Sequence, residues 1–190
     1  MECAIAPIVE GHGDVRAFRV LVNRLLAEGA AGTATICTPI RTPRGKIVND
    51  EELAKYAQIA LSNIRERGVP GGVLLLFDAD DDCAVELAEG RRTILEKETG
   101  VPSECVLAVR EYETWLVAGD TQHDFDGDAE SKRNPKAVLK EWYGRYTETA
   151  DQPSLTARMD PQQARTRCRS FRAFENALLR LVDKIQAQRR

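Results

Sequence analysis

The chain has 190 residues, 43% of them hydrophobic and 30% charged, which suits a soluble domain with a real core and a short appendage. A formal net charge of -3 excludes the whole-chain basic field of a passive nucleic-acid coating protein, though not an enzyme whose acidic site offsets basic patches elsewhere. Five cysteines without a Cys-x-x-Cys pair, and only two histidines, argue against zinc and read as small buried hydrophobes in a reducing cytoplasm.

The start, Met1-Glu2-Cys3, places no basic region before the first apolar run, so no signal peptide is expected. No apolar stretch nears the ~20 residues of a membrane span. Residues 3–9 form a short apolar run that ends in Glu10-Gly11-His12-Gly13-Asp14, the pattern of a buried strand and a glycine-rich turn. From Val15 onward Phe18, Leu21, Val22, Leu25 and Leu26 recur at helical spacing, with Gly29 and Gly32 as stop signals. Residues 33–40 are β-branched and predict a second strand.

Arg41, Arg44 and Lys46, set around Pro43 and Gly45, predict a mobile basic loop suited to gripping phosphates; a plain solvated loop fits the same residues. Asn49 or Asp50 suits the cap of a helix striped by Leu53, Tyr56, Ala57, Ala60, Leu61 and Ile64. Residues 72–77 are continuously apolar, as in a strand buried on both faces, and run into Asp78-Ala79-Asp80-Asp81-Asp82. A helix over 84–99 and a strand over 104–109 follow. The alternation over residues 1–118 predicts an α/β core, a mostly parallel sheet flanked by helices. Residues 119–190 add an acidic loop and a helical C-terminal extension packed on that core, with helices over 135–146, 161–167 and 171–188.

In an open parallel sheet, ligands collect outside the carboxyl ends of the strands. Glu10 ends the first strand, with Asp14 a helical turn further on, and Asp78 and Asp80 end the third. Side chains alternate along an extended chain, so Asp78 and Asp80 should point to one side. Carboxylates held together repel unless a cation lies between them. Magnesium or manganese suits such an all-oxygen set and serves phosphoryl chemistry. The plain alternative is helix capping, with Asp82 as the cap of the helix near Ala84. Gly11 and Gly13 add a second, independent signal, since they let backbone approach a ligand closely.

Ile8-Val9-Glu10-Gly11-His12-Gly13-Asp14 and Leu75-Leu76-Phe77-Asp78-Ala79-Asp80 together resemble the signature of Toprim domains, found in topoisomerases, bacterial primases and overcoming-lysogenization-defect type nucleases. Glu111-Tyr112-Glu113-Thr114-Trp115, Asn134-Pro135-Lys136 and Cys168-Arg169-Ser170-Phe171 extend the likeness over nearly the whole chain, to the family called domain of unknown function 4276. This resemblance implies a Toprim, Rossmann-like fold and metal-dependent cutting of DNA or RNA. It implies that Glu10, Asp78 and Asp80 hold Mg²⁺ or Mn²⁺, with Asp14 in a second metal site. It also implies an effector of bacterial anti-phage defence working with a partner ATPase. The pattern departs at Cys83, where the nuclease branch carries an acid, and this puts the second metal site in doubt.

Other residues fit two roles. Glu113, just past the fourth strand, reaches the same sheet edge or is a surface acid. Lys136 stabilises charge on phosphate or is a solvated lysine at a helix start. His12 touches a ligand or only turns the chain. Trp115 fits core packing better than binding. Arg158, Arg165, Arg167, Arg169 and Arg172 line a nucleic-acid channel or coat helices. No phosphate-binding loop of the GxxxxGK[ST] type is present. The reading is a metal-dependent nuclease of the cytoplasm, with a partner ATPase or a homodimer restraining it. Its rival is a non-catalytic Toprim-like subunit of that ATPase.

Overall fold

A computed structural model describes residues 2–28, 34–80 and 82–188. Strand β1 (Cys3–Val9) is uncharged and buried at every position, which only a central place between two layers allows. Strand β4 (Gly71–Asp78) pairs with β1 in parallel, from Ala4↔Gly71 to Val9↔Leu76. Strand β5 (Ser103–Ala108) continues in parallel beyond β4. The other side of β1 carries two short parallel strands, β2 (Ala34–Ile36) and β3 (Ile40–Arg41). All named strands therefore form one parallel sheet, as expected of a Rossmann-like α/β fold.

The second predicted strand is split, and two prolines explain the split. Cys37 N donates to Ile5 O at 2.9 Å and Thr42 N donates to Val9 O at 2.8 Å, so the odd residues of β1 face this side. Pro7, between them, has no N–H to give, and neither has Pro39 opposite. Pairing stops there and resumes one residue out of step, from Ile5↔Ile36 to Ile8↔Ile40. Gly29, Gly32 and Thr33, read as helix stop and strand start, lie outside the described residues.

Alternation along the strands divides the core into two layers. Ile5, Val9, Leu74, Leu76 and Val106 face one side, against helices α1 (Asp14–Glu28) and α9 (Arg169–Ala187). Ala6, Ile8, Leu75, Phe77 and Leu107 face the other, against α3 (Asp50–Glu66) and α4 (Ala84–Thr99). Asn49 caps α3 by accepting from Glu52 N at 3.0 Å, and Gly100, at φ 67, ends α4 in the left-handed turn that glycine favours. Four of the five cysteines are buried and Cys83 is exposed.

Several sequence expectations need correction. Arg44–Ile47 is a helical turn, α2, and not a loop. Helix α6 (Pro135–Tyr143) stops short of Tyr146, because Gly144 takes a left-handed conformation at φ 72. A helix that the sequence reading missed, α7 (Glu148–Arg158), follows; it contains Pro153, which breaks the helical signal. Asp82 does not cap α4, whose N-cap position is Cys83 and has no side-chain bond. Short helices α5 (Glu113–Ala118) and α8 (Pro161–Arg167) complete the set.

The C-terminal residues are part of the core. Phe174 of α9 packs on Trp115, with ring centroids 5.0 Å apart, and on Phe18 of α1 at 5.9 Å. Arg180 and Lys184 of α9 hold the buried Glu104 of β5 at 3.1 and 2.9 Å. No helix among the described residues is long and apolar enough to cross a membrane. Phe174→Ala should cost about 3–5 kcal/mol, as for other buried aromatics, in urea unfolding followed by circular dichroism. A fragment of residues 1–118 should lack a cooperative transition, because the layer between α1 and the sheet loses its α9 half.

Candidate acidic site at the strand ends

The end of β1 and the end of β4 bring two acids together. Glu10 Oε2 accepts a hydrogen bond from Asp78 N at 3.2 Å. Asp78 Oδ1 accepts from Tyr112 N at 3.0 Å, across the turn that follows β5. Asp14 opens α1 and is buried; its Oδ2 accepts from Gly11 N at 2.7 Å, and its Oδ1 from Gln152 Nε2 of α7 at 2.6 Å. Gly13 is needed for this contact, since a Cβ there would lie 1.8 Å from Gln152 Oε1 and 2.9 Å from Glu148 O. The space that the sequence reading reserved for a ligand beside Gly13 is thus taken by α7.

Glu113, in the first turn of α5, is only 2% exposed. Its Oε1 accepts from the hydroxyl of Tyr146 at 2.8 Å. Lys136, in the first turn of α6, lies 3.9 Å from Glu113 Oε1, 3.6 Å from Glu111 Oε1 and 2.8 Å from Glu148 Oε1. It is a cation of the acidic site and not a free surface lysine. Glu111 Oε2 is buried without a hydrogen-bond partner.

The electrostatics follow from burial first and from like charge second. Burial raises the Asp78 carboxyl well above its usual range, and the charges of Asp14, Glu113 and Glu10 raise it further, against Lys136. Burial also raises Glu10; the Asp78 N–H and Arg44 oppose it, while Asp80 and Asp14 add to it. Asp14 is raised by burial against the two bonds it accepts. Burial pushes Glu113 up to about 7, although Lys136 and Tyr146 resist. Burial pulls the Lys136 ammonium down, but Glu148, Glu113 and Glu111 outweigh it and hold the group above its usual range.

Asp80 departs from the expected arrangement. The strand ends at Asp78, and Asp80 takes a left-handed backbone at φ 49, so alternation no longer fixes its direction. Its side chain is 59% exposed and meets Arg44 Nε at 3.5 Å. Asp80 pairs with Arg110, itself at φ 68, in an isolated antiparallel bridge. These are the two non-glycine residues with positive φ among the described residues, and both stand at the strand ends, where strained backbone marks functional sites in many folds. Arg44 also donates to the carbonyls of Asp78 and Ala79 and to the carboxylate of Asp82, with its guanidinium 5.6 Å from the centre of the Phe77 ring. The basic segment thus closes on the acidic turn, with Arg41 and Lys46 exposed.

Glu10 therefore stands between two groups of charges. On the buried side are Asp14, Asp78, Glu113 and Lys136; on the exposed side are Asp80, Asp82 and Arg44. Among the described residues, no group of three or more His, Cys, Asp or Glu side chains is arranged to hold a metal ion. Asp81 lies outside the described residues. His12 is exposed in the turn, and Trp115 is core, its indole N–H donating to Ser170 Oγ at 2.9 Å. Of the five C-terminal arginines read as channel candidates, Arg167, Arg169 and Arg172 line one pocket, and Arg158 and Arg165 do not join it. Arg165 binds Glu175 and Glu28, Arg167 binds Gln163 at 2.7 Å, and Arg158 lies over Tyr143. Gln152, Tyr112, Tyr146 and Glu148 enter the site without having been expected there; Gln152 and Glu148 lie on α7, whose helical signal Pro153 breaks.

A family model described as a domain of unknown function (DUF4276) matches residues 9–179. No curated protein and no solved structure matches the chain.

Raised carboxyl pKa values fix the sign of a stability effect. A carboxyl raised on folding contributes stability below its unfolded pKa and loses it as pH rises through the folded value. For Glu113 that window runs from 4.5 to about 7. With EDTA present, the melting temperature should fall across this window. Glu113→Gln, which keeps an acceptor for Tyr146, should flatten the fall and gain on the order of 2–3 kcal/mol at pH 8. Calorimetric melting of both proteins from pH 4 to pH 8 checks this.

Proposed function

This chain belongs to the DUF4276 family, and from that premise we propose a divalent-metal-dependent phosphodiesterase acting on nucleic acid through a Toprim-type acidic site. The observation that carries the reading is the contact of Glu10 with the Asp78 backbone at the C-terminal end of a parallel sheet, ringed by further acids. The donor chemistry fits a magnesium-type ion, because every candidate group is a carboxylate and their mutual repulsion favours an added cation. A three-carboxylate cage is not needed for the fit, since Mg²⁺ keeps several waters and takes only one or two carboxylates.

Glu10 and Asp78 are the residues that would hold the ion, with Asp80 on the solvent side. Such an ion supplies a polarised phosphate and an activated water. The chain's own residues supply the rest. Asp14 holds the Glu10 turn through Gly11, and each of its oxygens already accepts one hydrogen bond, from Gly11 N and Gln152 Nε2. Lys136 sets a positive charge among Glu111, Glu113 and Glu148 and is the cation available to a phosphate on the buried side. Arg44 is its counterpart on the exposed side. Glu113, with its carboxyl near 7, exchanges a proton at neutral pH and suits acid–base work. In the cell the expected role is an effector of anti-phage defence, with a partner ATPase restraining it.

One observation favours the rival, a non-catalytic Toprim-like subunit of the ATPase. Arg44 and Lys136 already neutralise much of the acidic charge, and Asp80 turns outward. Titration calorimetry with Mg²⁺ and Mn²⁺, followed by incubation with plasmid, single-stranded DNA and tRNA, separates the two. Binding and Mn²⁺-dependent cleavage, stopped by EDTA, are expected. Asp78→Ala should weaken both by more than the about 10–100-fold typical of an outer-shell partner, with the fold intact. Asp80→Ala should be milder. Absence of metal binding would end the metal reading in favour of the rival, and metal binding without cleavage of these substrates would end the nuclease reading.

A further inference from the structure

The sheet's two edges differ. On one side the edge is broken at Pro39, where pairing with β1 changes step. On the other, β5 pairs only with β4 among the described strands. Val73 N donates to Pro102 O at 3.0 Å, and Ala79 N donates to Ala108 O at 2.8 Å. By the period of two, the even residues of β5 serve β4, and the N–H and C=O groups of Cys105 and Leu107 point away from it. The next outward N–H, that of Val109, is taken by Ser170 Oγ at 3.3 Å, so the open edge has a defined end.

These outward groups form the floor of a groove of about 780 Å³ between α4 and α9. One wall is apolar, with Ala84, Val85 and Ala88 from α4. Val85 is 67% exposed, the highest among the exposed large hydrophobic residues. The opposite wall holds Ala173 among cations. Arg169, Arg180 and Lys184 of α9 face Arg92 of α4 across the groove; Glu104 is held by Arg180 and Lys184, and Glu96 lies 3.8 Å from Arg92 and 3.9 Å from Lys184, which leaves Arg169 as the cation most open to a ligand.

We infer that this groove is a docking site for an extended acidic segment of a partner protein, which adds to β5 as a further strand. Main-chain bonds to Cys105 and Leu107 hold it in register. Alternate apolar side chains meet Val85 and Ala88, and alternate carboxylates meet the arginines. The charge decides against a second copy of this chain. A two-fold pairing would set the same four cations against themselves, because an isologous interface presents one patch twice.

The probe is a fluorescein-labelled hexapeptide alternating valine with glutamate, titrated with the full chain and followed by anisotropy. Saturable binding is expected, with slowed amide exchange at Cys105 and Leu107. Val85→Asp, at an exposed position, should weaken it by about ten-fold or more at an unchanged melting temperature. Arg169→Glu should weaken it as well. Methylating alternate backbone nitrogens of the peptide, or replacing its glutamates by lysine, should abolish binding. The inference is overturned if the peptide does not bind, or if the methylated or lysine peptide binds equally well. It is also overturned if equilibrium sedimentation gives a dimer that Val85→Asp dissociates, since the edge then belongs to a second copy.

Discussion

The rest of the structure depends on one electrostatic constraint: four carboxyl groups, Glu10, Asp14, Asp78 and Glu113, held near one another and largely out of water. Each raises the cost of ionising its neighbours, and burial raises that cost more than the neighbours do. The fold answers with donors of several kinds. Backbone N–H groups of Gly11, Asp78 and Tyr112 point at carboxylates, Gln152 and Tyr146 bring an amide and a hydroxyl, and Lys136 and Arg44 bring positive charge from opposite sides. Apart from Arg44 and the backbone donors, these groups come from residues beyond 130. The chain beyond residue 130 is therefore the counter-charge and solvation shell of acids placed by the chain up to Glu113.

This division explains what could be read in the sequence. The strand-end acids were legible because each follows an apolar run whose end is unmistakable: residues 3–9 before Glu10, and residues 72–77 before Asp78. Asp80 was misplaced because alternation holds only while the chain stays extended, and the left-handed turn at Asp80 depends on its bridge to Arg110, thirty positions away in sequence, which local pattern does not encode. Helix α7 was missed because Pro153 is a poor helix residue, and tertiary packing on α1 overrides it. With α7 went Gln152 and Glu148. Glu113 and Lys136 were legible as candidates only; that they meet is a property of where α5 and α6 begin. The split of the second strand was in plain view as Pro7 and Pro39, but its cause is visible only once the two prolines are opposite each other.

The two layers of the core have different standing. The layer of α3 and α4 comes from a continuous stretch of chain beside β4. The layer of α1 and α9 joins the first helix to the last, with Phe18, Trp115 and Phe174 in contact between them. Glu104 illustrates the same closure in polar form: a carboxylate of β5 on the α9 side, accepted only because Arg180 and Lys184 stand over it. A sheet that carries its acids at one end and this ion pair further down β5 has its polar groups fixed at both places by the same C-terminal chain.

The interlock of Gly13 with Gln152 bears on how such a chain can diverge. Position 13 is empty of side chain because position 152 fills it, and Gln152 is long because it must reach Asp14. Neither residue is free to change alone: a side chain at 13 has no room while Gln152 stays, and a shorter residue at 152 leaves a gap and strands the Asp14 oxygen. A loss at 152 does not by itself make room at 13, because the Glu148 carbonyl stays 2.9 Å from a Cβ there, so a gain at 13 also needs α7 to shift. Across relatives glycine at 13 should therefore go with the close seating of α7, and through Gln152 the acid at position 14 is tied to that same helix.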